Sequence, residues 1–277
     1  MNVTVAPGAG FCFGVKRALK IAFDAAKRGD GPVVTLGPII HNPQVVAKLA
    51  EEGLRVVERA DEIERGTLVV RSHGLPERVL DEVGRRGVEI VDATCPFVKQ
   101  AHDCAAQLEA EGYTVVVVGE EDHPEVLSIT GNLDRPATVV DGPNGLSRLG
   151  DVGRVGVVCQ TTQPLDHLRT VADALLERTP ELKIFNTICE ATFERQESTL
   201  GLARSVDVMI VVGGKNSANT RRLWELCREA GCDAYHIETK DDLEPQWFEG
   251  KEEVGVTGGA STPHWIIDEI VSAVEAM

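Results

Sequence analysis

Three stretches of this chain follow one pattern, and that recurrence constrains its fold more than any other feature. Cys12, Cys95 and Cys189 stand 83 and 94 residues apart. Each follows a short apolar segment: "VTV", "VEIVDAT" and "LKIFNTI". Each precedes a helical run: "FGVKRALKIAFDAAKRG", "PFVKQAHDCAAQLEAEG" and "EATFERQESTLGLARS". A strand and a polar turn come after each helix, in "LGPIIHNP", "VGEEDHPEV" and "VGGKNSANT". A further strand and turn come later, in "VVRSHGLP", "VVCQTTQP" and "GVTGGASTP". Recurrence of this kind marks a repeated supersecondary unit. Apolar strand-like runs that alternate with amphipathic helical runs predict a parallel α/β architecture. The predicted strands run from "VVTL" (33–36) to "EVGVT" (253–257), and "MNVTVA" adds one at the start.

The expected fold is therefore α/β: three similar units with small parallel sheets, arranged pseudo-threefold around a central cleft. The units span 13–95, 96–188 and 189–277, the third completed by an N-terminal strand in 1–12. In open α/β sheets, ligands sit outside the carboxyl ends of the strands. Three cysteines and six polar turns are then expected to face one cleft.

Composition narrows the chemistry. With 28 basic and 44 acidic residues the net charge is −16, which disfavours a phosphate-neutralising surface and hence nucleic acid. The same charge repels a small anion at long range, so an anionic ligand needs local donors. No apolar run of transmembrane length occurs, and "MNVTVAPGAG" has no basic leader region. A cytoplasmic protein is expected. Seven cysteines without a secretion signal suggest thiols, metal ligands or catalysis rather than a disulfide framework.

Cys95 illustrates the local logic. Pro96 suits the first turn of a helix, which places Cys95 at a helix N-terminus where the dipole favours thiolate. Three such thiolates suggest a metal centre. A structural zinc site usually takes four ligands, often in C-x-x-C pairs, and no such pair exists here. An iron–sulfur cluster on three thiolates leaves one iron open for a substrate. Buried structural thiols are the remaining reading of these three, and the ordinary one for Cys104, Cys159, Cys227 and Cys232.

The turns form a second constellation. His41, His73 and His123 occupy matching positions, with Thr161, Thr162, Ser217, Asn219, Ser261 and many glycines nearby. Glycine-rich turns ahead of helices present backbone N–H groups to oxyanions, and hydroxyls, amides and imidazoles add donors. Glu125, in "HPEV", is a carboxylate inside one of these motifs beside a histidine, and so a candidate proton donor.

Taken together, "GAGFCFGVKRAL", "GPIIHNPQVV", "RSHGLP", "VDATCPFV", "DHPEV", "QTTQ", "NTICEATFERQE", "GGKNSANTRRL" and "GVTGGASTP" resemble the 4-hydroxy-3-methylbut-2-enyl diphosphate reductase (LytB) family. The match runs in order along the whole chain. The resemblance implies a three-lobed α/β reductase with a [4Fe-4S] cluster on Cys12, Cys95 and Cys189. It implies removal of an allylic hydroxyl to give isopentenyl and dimethylallyl diphosphates, the last step of the methylerythritol phosphate route to isoprenoids. His41, His73, His123, Thr162, Ser217, Asn219 and Ser261 would bind the diphosphate. Glu125 would deliver protons, assisted by the Thr161 hydroxyl.

Ala218 stands where the family usually carries a second serine, leaving its backbone N–H as the donor. "LSITGN" and His264 are further departures from the family pattern. Ferredoxin or flavodoxin is implied as electron donor, with Lys16, Arg17, Lys20, Lys27 and Arg28 as a basic docking patch. Two alternatives share the fold: a paralogue acting on another allylic substrate, and a non-catalytic cluster-binding redox sensor.

Overall fold

The computed structural model describes residues 1–28, 31–150 and 152–277. The chain opens with β1 (Asn2–Val5) and α1 (Phe13–Arg28). It continues through β2 (Val33–Leu36), α2 (Pro43–Glu51), β3 (Leu54–Val57), β4 (Thr67–Val70), α3 (Glu77–Gly84) and β5 (Glu89–Asp92). Next come α4 (Pro96–Ala110), β6 (Thr114–Val118), α5 (Pro124–Thr130), β7 (Thr138–Val140), β8 (Arg154–Cys159), α6 (Leu165–Leu176) and β9 (Glu181–Ile184). The last stretch holds α7 (Glu190–Ala203), β10 (Val208–Val212), α8 (Ala218–Glu229), β11 (Asp233–Ile237), β12 (Glu253–Gly258) and α9 (His264–Glu275).

The described strands form three parallel four-stranded sheets, in the orders β3-β2-β4-β5, β7-β6-β8-β9 and β11-β10-β12-β1. Each order reads second, first, third, fourth. In the last sheet the fourth place belongs to β1, whose Val3 lies opposite Val254. The strand at the start of the chain thus closes the sheet built at its end. The chain divides into two compact units: Met1–Lys16, Ile40–Ala47 and Glu190–Met277 form one, and Arg17–Ile39 with Lys48–Cys189 form the other. The first holds the β1-containing sheet and the second holds the other two sheets.

The apolar continuity of the central strands follows from burial on both faces. In β10, Val208, Ile210 and Val212 pack in one cluster with Ile266, Ile267 and Ile270 of α9. Met209 and Val211 point the other way, to Leu223 and Cys227 of α8. Each such side chain contributes about 1.5–3 kcal/mol by leaving water. β3 was not among the predicted strands. It is a four-residue edge strand, paired only with β2, in which Leu54 and Val57 are buried while Arg55 is exposed. A lone charge in so short a run hides the pattern.

Proline fixes the start of two helices that carry candidate site residues. Pro96 and Pro124 occupy the first turns of α4 and α5, after the N-cap residues Cys95 and His123. Their missing N–H falls where a helix has no internal acceptor.

Candidate functional site

Each of the three cysteines is anchored by its backbone to the turn that follows the third strand of a sheet. The Cys12 N–H donates to the Ala260 carbonyl at 3.2 Å, after β12. Cys95 donates to Ser72 at 2.9 Å, after β4, and Cys189 to Thr161 at 3.0 Å, after β8. One chemical arrangement is therefore built three times. Each thiol stands at the entrance of a helix, α1, α4 or α7, and each cysteine is partly exposed.

The other cysteines differ. Burial pushes the Cys159 and Cys227 thiols up to about 12, and raises Cys104 and Cys232 as well. Those groups stay protonated. At Cys12 the Val15 N–H donates to Sγ at 3.4 Å, a contact made at the start of α1. Three accessible sulfurs at helix entrances fit the donor chemistry of a thiolate-held metal group.

In the unit that contains the second and third cysteines, Glu125 and Thr161 lie in the segments that follow β6 and β8. Glu125, in the first turn of α5, is 2% exposed. Its Oε1 accepts the Thr161 N–H at 2.6 Å, and its Oε2 accepts the Thr161 hydroxyl at 2.9 Å. Burial raises this carboxyl from 4.5 to about 7, while the two Thr161 bonds hold it back from rising further. The group is poised where a general acid is most effective. His123 caps α5: its Nδ1 accepts the Glu125 N–H at 3.2 Å, so in the neutral ring Nε2 carries the proton. The His73 and His123 rings meet edge to face at 5.5 Å. Thr162, partly buried, accepts from Gln160 Nε2 at 2.9 Å.

The other unit carries the remaining polar turns. Ser217 caps α8, and its Oγ accepts both the Thr220 N–H at 3.3 Å and the Thr220 hydroxyl at 3.0 Å. With both lone pairs used, the Ser217 hydroxyl proton is directed elsewhere. Asn219 is 5% exposed, yet neither side-chain amide atom finds a partner among the described residues. Nor do the Ala218 and Asn219 N–H groups, which open the helix, find an acceptor among the described residues. A buried unpaired amide is costly unless a ligand satisfies it. Together with the helix N-terminus, these donors suit an oxyanion. Ser261 Oγ donates to the His41 carbonyl at 3.0 Å, which ties the turn after β12 to the segment that bears His41. His264 packs against Gly10, two residues before Cys12.

Arg195 and Gln160 were not among the expected site residues. Arg195, 4% exposed, donates to the carbonyls of Gly8 at 3.1 Å, Gly10 at 2.9 Å and Ala191 at 3.1 Å. It clamps the loop before Cys12 to α7, the helix that Cys189 opens. Gln160 is fully buried and holds "QTTQ" in shape through Glu120 N–H at 3.0 Å and Thr162. Arg195 stands six positions after Cys189 on a helix whose buried face is mostly polar, so no apolar stripe marks it in the sequence.

In the expected basic patch, Lys20 pairs with Asp24 at 2.8 Å, and Arg28 with Glu89 at 3.0 Å. Arg17 donates to the Thr94 carbonyl at 3.0 Å, next to Cys95.

The sequence profile of the LytB protein family matches residues 3–275. A 4-hydroxy-3-methylbut-2-enyl diphosphate reductase of Geobacter sulfurreducens is 50% identical over 275 residues, covering 99% of this chain and 97% of the relative. One of Geotalea uraniireducens is also 50% identical, with the same coverage. Among solved structures, an (E)-4-hydroxy-3-methyl-but-2-enyl diphosphate reductase, described as the terminal enzyme of the non-mevalonate pathway, superposes with a TM-score of 0.74. It is 44% identical and covers 100% of this chain and 99% of its own. The E-1-hydroxy-2-methyl-but-2-enyl-4-diphosphate reductase of Plasmodium falciparum reaches a TM-score of 0.93 at 25% identity, covering 98% of this chain and 87% of its own.

Proposed function

We propose, because this chain belongs to the LytB protein family, that it is a 4-hydroxy-3-methylbut-2-enyl diphosphate reductase. In this reading two electrons and two protons convert the allylic alcohol to isopentenyl and dimethylallyl diphosphates, and the hydroxyl leaves as water. The observation that carries the reading is the buried Glu125 carboxyl, raised to about 7 and gripped by Thr161. Loss of a hydroxyl as water needs an acid that is still protonated near neutral pH, and burial provides one.

Cys12, Cys95 and Cys189 would hold a [4Fe-4S] cluster, which supplies the electrons and a Lewis-acidic iron for the substrate hydroxyl. Ser217, Asn219 and the Ala218 N–H would bind diphosphate oxygens, with Ser261, Thr162, His41, His73 and His123 as further donors. Asn219 supports this assignment, since its amide has no partner among the described residues. His123, with Nδ1 engaged, offers Nε2–H as a neutral donor. The Thr161 hydroxyl would pass a proton between Glu125 and the substrate oxygen.

We further take the segments 13–95, 96–188 and 189–277, the last with 1–12, as three copies of one unit. The common strand order of the three sheets supports this. Ferredoxin or flavodoxin would deliver the electrons, at a cytoplasmic location. Among the described residues no helix is long and apolar enough to cross a membrane.

The test is single replacement of Cys12, Cys95 or Cys189 by Ser, with iron, sulfide and turnover measured after anaerobic purification. Each variant is expected to lose cluster and activity, while Cys232→Ala keeps both. A full cluster in Cys189→Ser would remove the basis of the assignment.

A further inference from the structure

A cavity of about 680 Å³ opens between α3 and α5, on the outer side of the latter helix. Its walls are polar and apolar in about equal measure, with Leu75, Val79 and Leu127 on the apolar side. Arg71, at the end of β4, lines it too. The guanidinium packs tightly on Gly37: a Cβ there would lie 2.7 Å from an Arg71 terminal nitrogen, and Gly37 has φ +69°. That position therefore both requires glycine and seats the arginine.

Arg71 Nε donates to the Gly74 carbonyl at 3.3 Å, and no carboxylate lies within ion-pair distance among the described residues. Burial depresses its pKa, and the Coulombic pull of Glu58, which also lines the cavity, opposes this. In a chain of net charge −16, a half-buried arginine without a close ion pair is unusual. Arg78, on the rim, likewise has no acidic partner among the described residues. The rim also holds Asp134 and Arg135, but Arg135 is already bound to Glu109 and the Tyr113 carbonyl.

We propose that this cavity binds an amphiphilic anion: a phosphorylated head against Arg71 and Arg78, and a branched hydrocarbon tail along Leu75, Val79 and Leu127. Planar guanidinium forks match phosphate oxygens, and two of them favour a head with more than one charge. At about 30 Å³ per water-sized group, the volume admits roughly twenty heavy atoms, the size of a prenyl diphosphate with about ten carbons. The cavity's lining residues all belong to the unit that does not contain α8. It nevertheless shares α5 with Glu125, which faces inward from the same helix that turns Leu127 to the cavity.

The test is calorimetric titration of the anaerobic holoprotein with geranyl diphosphate, inorganic diphosphate and geraniol. Geranyl diphosphate is expected to bind saturably and at least tenfold more tightly than either fragment. Arg71→Gln should weaken it at least tenfold. Leu127→Glu should do the same by placing a carboxylate in the cavity; Leu127 is 47% exposed, so this variant keeps its fold. Asn219→Ala should leave this binding intact. Absence of saturable heat overturns the proposal. So does binding that Asn219→Ala abolishes while Arg71→Gln and Leu127→Glu leave it unchanged, because the ligand would then sit at α8. Equal affinity for inorganic diphosphate removes the role given to the tail.

Discussion

Replacing Glu125 by Gln separates proton delivery from every other function of the site. The amide keeps the size of the side chain and can still accept the Thr161 hydroxyl bond, but it has no acidic proton. A carboxyl raised from 4.5 to about 7 corresponds to about 3 kcal/mol favouring the protonated form. At pH 7 about half of the molecules then carry the proton, against well under one in a hundred for an ordinary exposed glutamate. The assay is steady-state reduction of 4-hydroxy-3-methylbut-2-enyl diphosphate between pH 6 and 8.5, with cluster content held equal. The parent should lose activity above pH 7, approaching tenfold per pH unit. Glu125→Gln should lose about 100-fold or more at pH 6, the usual scale of general acid catalysis, and should lose the inflection near 7 as well. Substrate affinity should change little.

Stability supplies a second readout with a fixed sign. Between pH 4.5 and about 7 the folded chain holds this proton and the unfolded chain releases it. The stabilisation is therefore fully present below pH 4.5 and is lost as pH rises through about 7. Glu125→Gln should lack that slope. A parental turnover rate in Glu125→Gln, or a flat parental profile from pH 6 to 8.5, would refute the assignment of Glu125 as the acid.

Thr161→Val removes a hydroxyl bond that holds the Glu125 carboxyl down, so the inflection of the pH–rate profile should move to higher pH as turnover falls. Asn219→Ala should weaken diphosphate binding by about 1–3 kcal/mol, read as a rise in the dissociation constant from substrate titration of the cluster spectrum. Arg195→Leu leaves the Gly8 and Gly10 carbonyls without their donor. It should cost about 2–4 kcal/mol in urea unfolding at constant cluster content, and an unchanged midpoint would count against the clamp.

The threefold cadence was legible because a parallel sheet buried on both faces writes itself as apolar runs, and because each cysteine recurs at the same strand-to-helix junction. The anchors at Ala260, Ser72 and Thr161 were not legible, because they are backbone bonds and any residue can make them. Glu125 stands out by its motif, but its burial depends on the tertiary fold, in which the same helix sends Val126 and Ile129 into the core. Arg195 escaped notice for a different reason. Helix α7 buries Thr192, Arg195, Gln196 and Thr199, so its inner face is polar and does not show as an apolar stripe. Thr199 even shares a 2.8 Å hydroxyl bond with Thr257 beneath β12. β3 was missed because Arg55 interrupts it and only one neighbour pairs with it.

The central claim is that three equivalently anchored cysteines hold an open iron–sulfur cluster which, with Glu125, reduces an allylic diphosphate. Its most direct test is turnover by the anaerobically purified chain, supplied with a chemical reductant and 4-hydroxy-3-methylbut-2-enyl diphosphate, with products separated by mass spectrometry. About four iron and four sulfide per chain are expected, together with formation of isopentenyl and dimethylallyl diphosphates. A full cluster that is reduced by the same reagent but leaves the substrate unchanged would contradict it.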